Sequence, residues 1–136
     1  MIRVLVVDDS AFMREAIARM LASAPGLAVV GKAKDGEEAL RLAAELRPDV
    51  MTLDLVMPGM DGLTALGRLM REHPLPVLVL SSLTEQGAPA TLQALALGAA
   101  DFLPKRIGGS PVRILAIQQE LVEKVRALGG ARGRFA

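Results

Sequence analysis

Two apolar patterns alternate along this chain. Short runs rich in β-branched residues and leucine occupy positions 2–7, 27–33, 50–53, 77–80 and 101–103. After each comes a longer segment whose apolar residues return every three or four positions. Examples are Phe12/Ala16/Met20 with Met13/Ile17/Leu21, Ala39/Leu42/Ala43/Leu46, Leu63/Leu66/Leu69/Met70, Leu92/Leu95/Ala96 and Ile114/Ile117/Leu121/Val125/Leu128. Recurrence near 3.6 predicts amphipathic helices, and short apolar runs with almost no polar residue predict strands buried on both faces. The pattern predicts five βα units, an α/β fold whose parallel sheet is covered by helices on each side.

Helix punctuation agrees. Ser10 is placed to cap the first helix, Asp35-Gly36 and Asp61-Gly62 to open the second and third, and Gly98 to close the fourth. Pro48, Pro74 and Pro76 fall in the connections. Past Leu128 the tail Gly-Gly-Ala-Arg-Gly-Arg-Phe-Ala loses its periodicity. Residues 1–128 therefore read as one domain and 129–136 as the start of a linker or a chain end. A length of 136 residues suits one ordinary domain, not two.

Composition narrows the chemistry by what it withholds. The chain has no cysteine, which excludes thiol catalysis and zinc–cysteine sites within it and fits a reducing, cytoplasmic setting. The one histidine, His73, precedes Pro74 and reads as a solvated loop residue. A two-histidine metal site is thereby impossible, and a Ser-His-Asp hydrolase would have to use His73. The net charge of +1 gives no overall field toward nucleic acid or an anionic membrane. Its distribution is uneven, since seven of the 16 basic residues but only two of the 15 acidic ones lie from Pro104 onward. No apolar run approaches the ~20 residues of a membrane span. The opening run ends in Asp8-Asp9, which a signal peptide would not carry.

In an open parallel sheet, ligands bind outside the carboxyl ends of the strands. There the sequence places Asp8-Asp9 after the first run, Asp54 after the third, Ser81-Ser82 after the fourth and Lys105 after the fifth. Carboxylates meeting at ~4 Å repel by about 4 kcal/mol per pair at an effective dielectric of 20, so something positive must sit among them. A hard cation such as Mg²⁺ suits, because it accepts carboxylates, a carbonyl and waters and favours phosphate as a further ligand. Lys105 adds a point charge and Ser81 a hydroxyl. A carboxylate nucleophile, a divalent cation, a lysine and a hydroxyl together suit the holding of a phosphoryl group on aspartate.

Plainer roles exist for many of these residues. Asp8 and Asp9 could be loop acids that cap the first helix, although a cap needs only one. Asp54, in an apolar run, would be a costly charge without a partner. Asp61 reads as a cap and turn, Ser82 and Thr84 as caps of the fourth helix, and Lys105 taken alone as a surface lysine. Met13, Met20, Met51, Met57 and Met70 read as core filler.

The stretches Val4-Leu-Val-Val-Asp8-Asp9-Ser-Ala-Phe-Met-Arg14 and Leu53-Asp54-Leu-Val-Met57-Pro58-Gly-Met-Asp61-Gly62, with Lys105, resemble the response-regulator receiver domain across nearly the whole chain. Positions 81–102, beginning Ser81-Ser82-Leu83-Thr84 and closing on Gly98-Ala99-Ala-Asp101-Phe102, are similar to the receivers of chemotaxis protein-glutamate methylesterases, the CheB type. The resemblance implies a doubly wound, flavodoxin/CheY-like (βα)5 fold with strand order 2-1-3-4-5. It implies that Asp54 accepts a phosphoryl group from the phosphohistidine of a chemotaxis histidine kinase. Asp9, Asp54 and the backbone carbonyl of Val56 would bind Mg²⁺, with Asp8 acting through water. Ser81 and Lys105 would hold the phosphoryl oxygens, and Phe102 would be an aromatic switch that follows Ser81. Phosphorylation would shift a pre-existing equilibrium, read out on the face of the fourth helix, fifth strand and fifth helix. In such proteins the shift relieves inhibition of a following methylesterase domain that acts on chemoreceptors. The implied receiver is a cytoplasmic monomer that engages neither nucleic acid nor membrane.

Two departures stand out. The family usually has proline after the lysine, in a cis bond, whereas this chain reads Pro104-Lys105-Arg106, where a cis bond would cost about 2.5–4 kcal/mol. No G-x-S-x-G elbow occurs, so this chain holds no methylesterase site. A second reading is a stand-alone receiver, or one from a DNA-binding regulator, acting by phosphorylation-dependent protein binding. A third, a Mg²⁺-dependent phosphatase with an aspartate nucleophile, would want an acid two residues after Asp54, where Val56 stands.

Overall fold

Successive residues of a strand face opposite ways, and in this chain each face has its own core. The computed structural model describes residues 1–55, 57, 60–81, 87–104 and 111–135. Its elements alternate as expected: β1 (Ile2–Val7), α1 (Ala11–Ala22), β2 (Leu27–Ala33), α2 (Gly36–Leu46), β3 (Val50–Asp54), α3 (Gly62–Glu72), β4 (Val77–Ser81), α4 (Gly87–Leu97), β5 (Asp101–Pro104) and α5 (Pro111–Phe135). Leu5, Val7, Met51, Leu53, Val77 and Val79 pack against Ala39 and Ala43 of α2, Leu66 and Leu69 of α3 and Ala94 of α4. Their neighbours Val4, Val6, Val50, Leu78 and Leu80 pack against Ile17 and Leu21 of α1 and Leu121 and Val125 of α5. Helices therefore cover both faces, two on one side and three on the other.

The five strands form one parallel sheet in the order β2-β1-β3-β4-β5. Because β1 pairs with both β2 and β3, the direction of winding reverses beside it. The register sets Val7 opposite Leu53, so the next residues, Asp8 and Asp54, stand side by side at the carboxyl end of the sheet. That is the switch point where an open α/β sheet forms its crevice.

The expected caps are present. Ser10 Oγ accepts from the Met13 N–H at 3.3 Å, Asp35 Oδ1 from Glu38 at 2.8 Å and Asp61 Oδ1 from Thr64 at 2.7 Å. Gly98 follows α4 at φ +117°, a conformation that L side chains rarely adopt. Met51 and Met57 are buried, and Met13, Met20 and Met70 pack on the two cores. Ser82 and Thr84 lie outside the described residues.

At the carboxyl end α5 continues beyond Leu128 to Phe135, through the segment in which the apolar periodicity is lost. Gly129 explains part of this, because a Cβ there would stand 2.4 Å from Ile2 Cγ2. The helix thus packs on β1 through a residue without a side chain, which a search for apolar periodicity cannot register.

Thr52 is a fully buried polar residue between Val6 and Leu78, and its Oγ1 has no hydrogen-bond partner among the described residues. A buried hydroxyl without a partner is destabilising, while valine has nearly the same shape. Thr52→Val is expected to raise the unfolding free energy by about 1 kcal/mol, measured by urea titration.

No helix among the described residues is long and apolar enough to cross a membrane. On the surface, Lys32 Nζ pairs with Glu15 at 2.9 Å, and its hydrogen bond and charge hold the Glu15 carboxyl below its ordinary range. The pair's contribution is therefore present at neutral pH and fades as pH falls through the lowered value, and salt screens it because both groups are exposed.

Candidate functional site

The apolar run of β1 is followed directly by Asp8 and Asp9, and β3 closes on Asp54, at the same end of the sheet. Asp8 and Asp54 are buried there and Asp9 is exposed, and one carboxylate oxygen from each lies within 4.8 Å of the others. At that spacing each pair of like charges repels by about 3–4 kcal/mol for an effective dielectric of 20. Opposed oxygens around an ion bound at ~2.1 Å lie about 4.2 Å apart, so this cluster closes on a small hard cation with slight rotation or with one carboxylate acting through water. The donor set is all oxygen and anionic, the chemistry that Mg²⁺ prefers.

The loop carrying Asp8 and Asp9 is pinned at every peptide. Asp8 N–H donates to Ala33 O at 3.0 Å, which extends the β1·β2 ladder by one residue. Asp8 Oδ1 accepts from the Ser10 N–H at 2.9 Å, and Asp8 O accepts from Arg14 Nη1 at 2.9 Å. Beside Asp54, Gly62 N–H donates to Leu55 O at 3.0 Å. A Cβ at Gly62 would stand 2.5 Å from Leu55 Cα and 2.6 Å from Asp54 O, so α3 begins in direct contact with the backbone of the acid.

Ser81 is the last residue of β4, in register with Pro104 of β5, at the same edge of the sheet as Asp54. Phe102 on β5 is 37% exposed. Lys124 of α5 holds its Nζ 5.8 Å from the Phe102 ring centroid and 3.1 Å from Asp101 Oδ2, while Asp101 Oδ1 accepts from the Phe102 N–H at 2.7 Å. Lys105 and Val56 lie outside the described residues. The structure thus brings together Asp8, Asp9 and Asp54. It adds contacts that the sequence reading did not foresee: Arg14 on the Asp8 carbonyl, Gly62 against Asp54, and Lys124 over Phe102. Gly62 left a trace in the sequence as the second half of an Asp-Gly pair, and Arg14 as the end of the first receiver-like stretch.

The family model for the response regulator receiver domain matches residues 4–117. A protein-glutamate methylesterase/protein-glutamine glutaminase of Oleidesulfovibrio alaskensis is 53% identical over 132 residues, which is 97% of this chain and 36% of that protein. One of the same name from Pyrococcus abyssi is 45% identical over 134 residues, 98% of this chain and 36% of that protein. The chain thus spans 36% of the length of these curated relatives. Among solved structures, the response regulator domain of Thermotoga maritima CheB superposes with a TM-score of 0.85 at 47% identity, over 96% of this chain and 97% of that one. A CheX-CheY-BeF3-Mg complex from Borrelia burgdorferi gives a TM-score of 0.76 at 29% identity, over 93% and 87%.

Proposed function

The chain belongs to the response regulator receiver family, as a receiver domain of the CheB type, and on that premise we propose that it is phosphorylated on Asp54 and so controls a methylesterase. The observation that carries the reading is the convergence of Asp8, Asp9 and Asp54 at the switch point of the sheet. Asp54 is the acceptor, as the receiver resemblance implies for the acid that closes the central β3. Its carboxylate oxygen bonds to phosphorus of a phosphohistidine as the P–N bond breaks, and the released imidazole nitrogen takes up a proton, leaving an acyl phosphate.

Asp9, Asp54 and the Val56 carbonyl are the residues that would hold Mg²⁺, with Asp8 acting through water. The ion supplies charge neutralisation of the carboxylates and the phosphoryl oxygens when bound. The Borrelia CheY complex with BeF3 and Mg²⁺ supports this choice of cation. Ser81 and Lys105 hold the remaining phosphoryl oxygens. Phe102 is the aromatic switch, and its exposure, together with that of Leu92 and Leu97 on α4, supports a readout on the α4–β5–α5 face.

The phosphodonor is a chemotaxis histidine kinase, and the output is a methylesterase domain following this one, acting on chemoreceptors in the cytoplasm. Residues 1–128 form the receiver, and the last turns of α5 begin a helical linker. The receiver is monomeric and acts without nucleic acid or membrane. The test is incubation with acetyl phosphate or a phosphoramidate, followed by intact mass measurement. One phosphoryl group is expected, dependent on Mg²⁺ and removed by hydroxylamine as an acyl phosphate is. Uptake that persists in EDTA, or a product stable to hydroxylamine, would contradict the assignment.

A further inference from the structure

We propose that Arg14 is a positioning residue for the divalent cation, acting through the Asp8–Asp9 peptide. The inference rests on the reading of Asp8, Asp9 and Asp54 as a cation site. Asp9 is the exposed member of that cluster, and its carboxylate has no hydrogen bond of its own among the described residues. Its direction is therefore set by the two peptides that flank it. The Asp9–Ser10 peptide is fixed by the Ser10 N–H on Asp8 Oδ1 at 2.9 Å, and the Asp8–Asp9 peptide by Arg14 Nη1 on Asp8 O at 2.9 Å. Remove the second bond and the plane that aims Asp9 is free to rotate.

The placement of Arg14 is informative in itself. It lies in the first turn of α1, where the positive end of the helix dipole disfavours a cation, and that turn contains no acid to offset it. Side chains on helices lean toward the amino-terminal end, which carries the guanidinium back over the loop. Its backbone N–H already serves the helix by donating to Ser10 O at 2.8 Å, so the guanidinium contact is additional to helix formation.

Charge and position predict opposite signs here. A guanidinium near a cation site repels the ion, so if charge alone mattered, removing it would tighten Mg²⁺ binding. If it orients Asp9, removing it weakens binding, and residues that orient metal ligands typically contribute about 10-fold or more to affinity.

The experiment compares wild type, Arg14→Met and Arg14→Lys by calorimetric Mg²⁺ titration, with melting followed by circular dichroism in EDTA. Titrations are repeated in about 0.5 M KCl, where the screening length is about 4 Å and a lost charge counts for little. Arg14→Met is expected to weaken Mg²⁺ binding about 10-fold at both salt levels with its EDTA melting curve little changed, and Arg14→Lys to fall between. Should Arg14→Met fold poorly, Arg14→Gln takes its place. Binding by the variant that equals or exceeds wild type, corrected for folded fraction, overturns the proposal. A wild-type protein that takes up no Mg²⁺ overturns the metal reading beneath it, and the two failures are distinct.

Discussion

Asp54→Asn is expected to reduce phosphoryl uptake from acetyl phosphate to the level of an unfolded control, while the protein stays folded. Asparagine keeps the shape of the side chain but offers no anionic oxygen to attack phosphorus, so no acyl phosphate can form. The fold should hold in EDTA, because the substitution removes one of three like charges that converge within 4.8 Å. Mg²⁺ affinity should fall as well, since an anionic ligand becomes a neutral amide. Mass spectrometry of the labelled peptide separates the candidates. Label retained at wild-type level in the variant would place the acceptor on another residue and sink the assignment of Asp54. Loss of label together with loss of the folded circular dichroism spectrum would leave acceptor and scaffold confounded, and Asp54→Ala, smaller and without a nucleophilic oxygen, resolves that case.

Much of this molecule can be read from its residues because the apolar ladders do two jobs. They make β1, β3 and β4 recognisable as strands buried on both faces, and their abrupt endings in Asp8 and Asp54 mark the edge where chemistry can occur. The strands nevertheless run one residue further than hydrophobicity indicates, through Asp54, Ser81 and Pro104. Backbone pairing decides where a strand stops, and it is indifferent to the polarity of the last side chain. The same division separates what was legible in the site from what was not. Three carboxylates announce themselves by type. Arg14 does not, because its partner is a backbone carbonyl, and any residue could have supplied that oxygen. Lys124 was hidden for a different reason: it reaches Asp101 and Phe102 across 23 residues of sequence from the former, and only the packing of α5 beside β5 brings them together.

Packing of this kind gives the second large effect. Gly62→Ala is expected to destabilise the protein by about 2–3 kcal/mol and to reduce phosphoryl uptake in the fraction that remains folded. Alanine would ordinarily be the better residue in a helix, by about 1 kcal/mol. At position 62 the new Cβ meets Leu55 Cα at 2.5 Å, Asp54 O at 2.6 Å and Leu55 O at 2.9 Å, all backbone atoms that cannot rotate aside. Relief requires that the end of β3 or α3 move: the first displaces the Asp54 backbone from its register opposite Leu80, and the second breaks the Gly62 N–H bond to Leu55 O that holds the residue after the acid. Gly67, on the same helix, is the internal control, since a Cβ there would approach only Arg71 Nη1, at 3.8 Å. Gly67→Ala should therefore stabilise by up to about 1 kcal/mol and leave uptake unchanged. Urea titration and acetyl phosphate labelling of both variants measure the contrast. A Gly62→Ala protein as stable as wild type and fully labelled would mean that α3 is not seated on the acceptor's backbone, and the link between helix packing and the position of Asp54 would fail.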